Sequence, residues 1–286
     1  MWHFVSEQIS QQLNQEFVCD DIREISEGDS HRAFRITDRQ KRFFVKLNDE
    51  DKLANFSAEA EGLTHLANAN EFKVPKVICY GISENKSYLV LEYLRLVEGS
   101  EQTWFDFGSK LANMHQNQTQ NMYGWQEDNF IGLTPQPNRW AKKWPQFFAE
   151  QRIGYLLQLL AEKGHVIAAI DNVVVSVEKL LQGHNPKASM LHGDLWIGNT
   201  GFQHNTPVIF DPAFYYGDRE TDIAMTELFN KFPAAFYQGY NETWPLSKQY
   251  NFRKPVYQLY HILNHALLFG GNYLQTATSL LKNMQG

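Results

Sequence analysis

Between residues 191 and 212 the chain reads Leu191-His192-Gly193-Asp194-Leu195-Trp196-Ile197-Gly198-Asn199-Thr200 and then, after a few residues, Pro207-Val208-Ile209-Phe210-Asp211-Pro212. An aspartate, an asparagine five positions later and a second aspartate closing a short hydrophobic strand suit phosphoryl transfer. That reaction needs a carboxylate to hold and deprotonate an attacking hydroxyl, and hard oxygen ligands for the magnesium that neutralises the phosphates. Asp194 fits the first role, and Asn199 and Asp211 fit the second. A single aspartate here is equally a turn cap on a polar loop. The ordered set is more informative, because its roles require all three residues on short, rigid connectors.

Such a site also calls for a strand lysine upstream, and Phe43-Phe44-Val45-Lys46-Leu47 offers one. Alternation turns Phe43, Val45 and Leu47 to one face and Lys46 to the other. In the helical stretch that follows, Glu59 falls within the arc of Phe56, Ala60, Leu63 and Leu66, whereas Glu61 points to the opposite side. A carboxylate in an apolar stripe needs a partner. Lys46 is the natural one, since a strand lysine held by a helix glutamate aims an ammonium at the phosphates of ATP. The loop Ser26-Glu27-Gly28-Asp29-Ser30-His31-Arg32 could cradle phosphate through the backbone of Gly28, Asp29 and Ser30, or be an ordinary hairpin turn. Glu92, Tyr93 and Leu94 form an interlobe linker whose amides would meet adenine. His261 and His265, four apart, lack the glutamate of a zinc-hydrolase motif and a clear third ligand, and read as core or substrate-lining residues.

The elements that must position these groups change character near residue 95. Strand-like runs at 22–26, 32–37, 42–47, 77–80 and 88–94 surround one helix at about 51–68. Helical texture then dominates, at 103–116, 139–163, 166–182, 219–231 and 256–281. The expected fold is α+β and bilobal, with an antiparallel-sheet lobe over 1–94 and a larger helical lobe over 95–286. The length of 286 residues, 43% of them hydrophobic, supports a full core without staples, and Cys19 and Cys79 are too few for a disulfide framework. With 26 Lys+Arg against 32 Asp+Glu, the charge of −6 argues against a broad nucleic-acid surface. No apolar run reaches the ~20 residues that span a bilayer, and Glu7 and Gln8 interrupt any secretory pattern, so a cytoplasmic protein without membrane contact is expected.

With these residues assembled, the sequence resembles the fructosamine kinase (ketosamine 3-kinase) family, within the protein-kinase-like set that includes aminoglycoside and choline kinases. The shared core is His192-Gly193-Asp194, Asn199 and Asp211-Pro212. Trp196, the run Ala213-Phe214-Tyr215-Tyr216-Gly217-Asp218-Arg219-Glu220-Thr221-Asp222, and the block Asp128-Asn129-Phe130-Ile131-Gly132-Leu133-Thr134-Pro135-Gln136-Pro137-Asn138 point to the fructosamine branch.

The resemblance implies ATP- and magnesium-dependent phosphorylation of O3 on a ketosamine such as ribulosamine or fructosamine, free or protein-bound, as a deglycating repair step. It implies Asp194 as base, Asn199 and Asp211 as metal ligands, Lys46 with Glu59 as the phosphate-positioning pair, and Asp222 as a brace for the catalytic loop. It directs the acceptor to Trp196, His192, Asn129, Gln136 and Tyr215. Trp196 is also compatible with a plain core role. Ile197 stands where the family commonly has a small residue, and the phosphate loop is poor in glycine and has no cysteine. Two rivals remain: a kinase of another hydroxyl acceptor, an aminoglycoside or amino-alcohol, and a non-catalytic nucleotide-binding module.

Overall fold

The computed structural model describes residues 1–25 and 31–285. In chain order these form α1 (Trp2–Leu13), β1 (Asp21–Ile25), β2 (Arg32–Thr37), β3 (Arg42–Asp49), α2 (Leu53–Asn68), β4 (Val77–Ser83), β5 (Lys86–Glu92) and α3 (Glu101–Asn117). Next come β6 (Thr119–Gln120), β7 (Asn129–Ile131), β8 (Thr134–Gln136), α4 (Trp144–Phe148), α5 (Tyr155–Glu162), α6 (Ile170–Leu180) and β9 (Ala188–Leu191). The chain ends with β10 (Thr200–Gln203), β11 (Thr206–Ile209), β12 (Tyr215–Gly217), α7 (Glu220–Thr226), α8 (Ala234–Thr243), α9 (Tyr250–Phe269) and α10 (Gly271–Gln285). Two compact units emerge, Met1–Gly99 with Gly201–Asp211, and Ser100–Thr200 with Pro212–Gly286.

The first unit is built on a five-stranded antiparallel sheet in the order β1-β2-β3-β5-β4. The alternation expected on β3 is present: Phe43, Val45 and Leu47 pack with Phe34, Ile36, Val90 and, from α1, Val5 and Ile9. Each such side chain withdraws enough apolar surface to be worth about 1.5–3 kcal/mol. Lys46 therefore emerges on the other face. Helix α1, over residues 2–13, lies outside the elements expected above, although Trp2, Val5, Ile9 and Leu13 recur at helical spacing. The segment 201–211 joins this unit through main-chain pairing of Phe202 with Val97 and of Val208 with Lys73.

In the second unit α3 begins at Ser100, whose hydroxyl accepts from the Thr103 N–H at 3.3 Å. Helices α3 and α8 touch backbone to backbone, because both present glycine at the crossing. A Cβ on Gly108 would lie 1.9 Å from the Phe236 carbonyl oxygen, and one on Gly239 2.0 Å from that of Phe105. Strand β9 is the centre of a three-stranded sheet, β12-β9-β6, and delivers the chain directly into His192. Helix α9 is tied to α7 by Arg253, which donates to both carboxylate oxygens of Glu220 at 2.7 Å.

Several helix boundaries differ from the sequence reading. The stretch 256–281 is not one helix: it breaks at Gly270 and Gly271, whose φ values of 64° and 55° lie in the left-handed region that glycine enters without a Cβ clash. The helix expected at 219–231 stops at Thr226, and a separate α8 begins after Pro233. The helix expected at 139–163 starts at Trp144 and contains a π-turn over Ala149–Gly154. Among the described residues, no helix is long and apolar enough to cross a membrane.

Gly108→Ala should lower the chemical-denaturation midpoint of the second unit, with a cost of about 1–3 kcal/mol for forcing a methyl group into a backbone contact. An unchanged midpoint would show that α3 and α8 can separate without penalty.

Candidate active site

In the first unit, Lys46 lies between two carboxylates. Its buried Nζ donates to Glu59 Oε1 at 2.8 Å and also contacts Asp211 Oδ1. Glu59 comes from α2 and Asp211 from the end of the returning segment, in a left-handed backbone conformation (φ 56°) uncommon for a non-glycine residue. Glu61 is instead near His65, at 3.9 Å, as helix geometry requires. One ammonium faces two carboxylates that are only partly exposed, Glu59 by 14% and Asp211 by 32%. Burial opposes charge on all three groups, yet the attraction between Lys46 and Asp211 keeps the lysine above its usual value and Asp211 below its own. For Glu59 burial prevails, pushing its carboxyl up to about 8.

The expected phosphate-loop residues Gly28, Asp29 and Ser30 lie outside the described residues. His31, which follows them and had no assigned role, is drawn down to about 4 by burial and then by the charge of Lys46. In the linker, the Glu92 side chain holds Lys73 at 2.7–2.8 Å and its N–H donates to Lys76 O at 2.8 Å. That amide is therefore not available to adenine, a correction to the expectation for Glu92. Tyr93 and Leu94 follow it, half-buried.

In the second unit the loop after β9 is organised by one buried anion. Asp222 Oδ2 accepts the His192 N–H at 2.8 Å, and Oδ1 accepts the Gly193 N–H at 2.9 Å. His115 Nε2 lies 3.1 Å from Oδ2, and its Nδ1 is 2.9 Å from the Tyr240 hydroxyl. Burial would raise the Asp222 carboxyl, but these donors outweigh it and hold it below the usual carboxylate range. Burial keeps His115 neutral, so it donates to Asp222 as an imidazole. Gly193 is needed twice: its φ is +83°, and a Cβ would meet the Ala213 carbonyl oxygen at 1.9 Å.

The loop then presents Asp194, one-fifth exposed, with its Oδ2 accepting from Asn199 Nδ2 at 3.1 Å. Asn199, itself buried, also donates through Nδ2 to the Asp194 main-chain oxygen at 2.9 Å, so one amide group ties the side chain of Asp194 to its own backbone. Trp196 is half-buried, and its ring lies where a Cβ on Gly198 would be, 2.3 Å away. Gly198 thus leaves the space that the indole fills.

The other expected acceptor residues are not at a surface. Asn129 donates to Phe214 O at 2.6 Å, and Gln136 donates to Asn129 Oδ1 at 2.8 Å and to Ala213 O at 3.2 Å while accepting from Tyr260 at 2.6 Å. The His192 ring accepts the Asp194 N–H at 3.2 Å. Tyr215 is buried beneath the Arg152 guanidinium, 4.1 Å from its ring centroid. In place of direct acceptor contact, Asn129, Gln136, His192 and Tyr215 support the main chain that carries Asp194 and Ala213. Their block was visible in the sequence, but their burial was not. Arg152 was missed altogether; it is fully buried in the π-turn and donates to Pro137 O and Asn138 Oδ1. His261 comes within 3.7 Å of Asp194 Oδ1 through Nδ1.

A small antiparallel sheet bearing a lysine-glutamate pair, and a helical unit bearing an aspartate-asparagine loop, define a protein-kinase-like phosphotransferase. Aminoglycoside phosphotransferase APH(4)-Ia, in a ternary complex with AMP-PNP and hygromycin B, matches at TM-score 0.63 and 17% identity over 98% of this chain and 97% of that one, a likeness of fold. The sequence model of the family described as Fructosamine kinase matches residues 1–285. The chain belongs to the fructosamine kinase family, phosphotransferases with a hydroxyl acceptor. A protein named "Probable ketoamine kinase" from Vibrio parahaemolyticus is 46% identical over 97% of this chain and 96% of its own length. Another from Synechocystis is 45% identical over 98% and 96%. A crystal structure from Haemophilus somnus 129PT, of a protein described as a candidate fructosamine-3-kinase, matches at TM-score 0.96 and 36% identity over 100% of this chain and 98% of that one.

Burial also lowers His261, to about 3. A histidine held neutral in this way has a folded pKa below its unfolded value of about 6.5, so the unfolded chain binds the proton first as pH falls. Its contribution to stability is complete above that value and is lost on acidification, at up to about 1.4 kcal/mol per pH unit per group. Denaturation midpoints should therefore fall between about pH 7 and pH 5, and His261→Asn should flatten part of that slope. Equal slopes for wild type and variant would contradict it.

Proposed function

We propose that this chain phosphorylates the O3 hydroxyl of a ketosamine, such as a ribulosamine or fructosamine, using ATP, and so serves deglycation in the cytoplasm. The observation that carries the reading is the Asp194-Asn199 loop, clamped by Asp222 in a chain of the fructosamine kinase family. The names of its ketoamine kinase relatives support the acceptor class, and the AMP-PNP complex of its aminoglycoside-phosphotransferase neighbour supports the nucleotide.

The acceptor hydroxyl approaches Asp194, whose carboxylate takes its proton as the O3–phosphorus bond forms and the bond to the β-phosphate oxygen breaks, releasing ADP. Asn199 and Asp211 offer hard oxygens suited to magnesium, which when bound neutralises phosphate charge. Lys46 would turn its ammonium to the phosphates, with Glu59 holding it in place. Trp196, the half-buried aromatic on this loop, would meet the acceptor sugar or its amine substituent.

A coupled ATPase assay against a ribulosamine, a fructosamine and an aminoglycoside tests the proposal. Turnover of the first two is expected, and turnover of the aminoglycoside alone would replace it with the rival acceptor class. Asp194→Asn should retain binding of ATP with magnesium while kcat falls by about a hundred- to ten-thousand-fold, because only the base is altered. Undiminished turnover would place the base elsewhere.

A further inference from the structure

His261 is nearly fully buried on α9, and its Nδ1 has no hydrogen-bond partner among the described residues. Leaving a buried polar nitrogen unpaired forfeits its hydration without replacement, so its retention calls for a physical reason. The nitrogen is not aimed at random: it lies 3.7 Å from Asp194 Oδ1, beyond hydrogen-bond range but beside the carboxylate oxygen. Next to a carboxylate, the neutral imidazole is better placed with its hydrogen on Nδ1 than with a lone pair there. With its hydrogen there Nδ1 is a donor, and burial, which disfavours the imidazolium, keeps the ring in that neutral form. The other carboxylate oxygen, Oδ2, is held by Asn199. The pair His261 Nδ1–H and Asp194 Oδ1 therefore presents one donor and one acceptor side by side.

A single hydroxyl meeting both groups at about 2.9 and 2.7 Å would hold its two bonds at roughly 80°, well short of tetrahedral. Two oxygens on adjacent carbons meet them one to one without that compression. We infer that His261 is an acceptor-binding residue, whose Nδ1–H donates to the oxygen on the carbon next to the hydroxyl that Asp194 deprotonates. The inference rests on the proposed ketosamine kinase activity and deepens it. The site selects a vicinal pair of oxygens, with the phosphorylated O3 as donor and the C2 or C4 oxygen as acceptor. A buried donor left unpaired discriminates strongly against a substrate lacking its partner.

The test compares wild type, His261→Ala and His261→Asn on a fructosamine and on its analogues lacking the C2 or the C4 oxygen. His261→Ala should reduce kcat/KM for the fructosamine about ten- to a hundred-fold, with the KM for ATP unchanged. His261→Asn, whose amide N–H can replace the ring N–H, should recover most of the loss. On one of the two deoxy analogues, wild type and His261→Ala should be equal. An equal loss on all three acceptors would make His261 a support for Asp194 and overturn the inference, as would full activity of His261→Ala on the fructosamine. Thermal melting of each variant separates either result from misfolding. Wild-type turnover of an aminoglycoside but no ketosamine would overturn the functional reading instead, and the comparison of variants on that acceptor and its deoxy forms would still decide the role of His261.

Discussion

The carboxylate of Asp222 is the interaction on which the catalytic loop depends. Two consecutive main-chain N–H groups, from His192 and Gly193, point at its two oxygens, and His115 supplies a third donor. A buried anion with three donors is a rigid anchor, because every alternative loop conformation would strand it uncompensated. Its geometry is enforced from behind. Tyr240 on α8 can reach His115 on α3 only because Gly108 and Gly239 let those helices touch. The path from helix packing to the placement of Asp194 is therefore continuous, and each link is a small residue or a hydrogen bond that a larger or apolar residue would break.

The Lys46 site works by a different economy of charge. Two carboxylates share one buried ammonium, and the outcome is unequal: Asp211 stays ionised while Glu59 is driven toward its protonated form. Lys46 is the positive charge that keeps the two acidic groups together, since without it their mutual repulsion would add to the cost of burial.

The residues around Ala213 and Tyr215 are held by a third device. Arg152 is fully buried, donates to carbonyl oxygens and to Asn138, and stacks over Tyr215 and Phe147. Through Asn138, Asn129 and Gln136 the network reaches the main-chain oxygens of Ala213 and Phe214. Polar residues that look like a binding motif in one dimension can serve in this way as an internal scaffold, because a hydrogen-bonding group is equally useful to a ligand and to a neighbouring backbone.

The sequence by itself determined which residues are candidates for the chemistry. Asp194, Asn199, Asp211 and Lys46 were legible as an ordered set, and the choice of Glu59 over Glu61 followed from helical periodicity, because that periodicity is local and independent of the rest of the chain. The five strands of the small sheet and the alternation on β3 were legible for the same reason. Whether a polar side chain faces a ligand or its own protein was decided only by tertiary structure. Asn129, Gln136, His192 and Tyr215 turned inward, Arg152 appeared from a helical stretch without a local signal, and His261 came to Asp194 from 67 positions away in the chain. The break at Gly270 and the return of 201–211 to the first unit were equally beyond local pattern. Burial and long-range pairing depend on the sum of all contacts, and no window of sequence contains that sum.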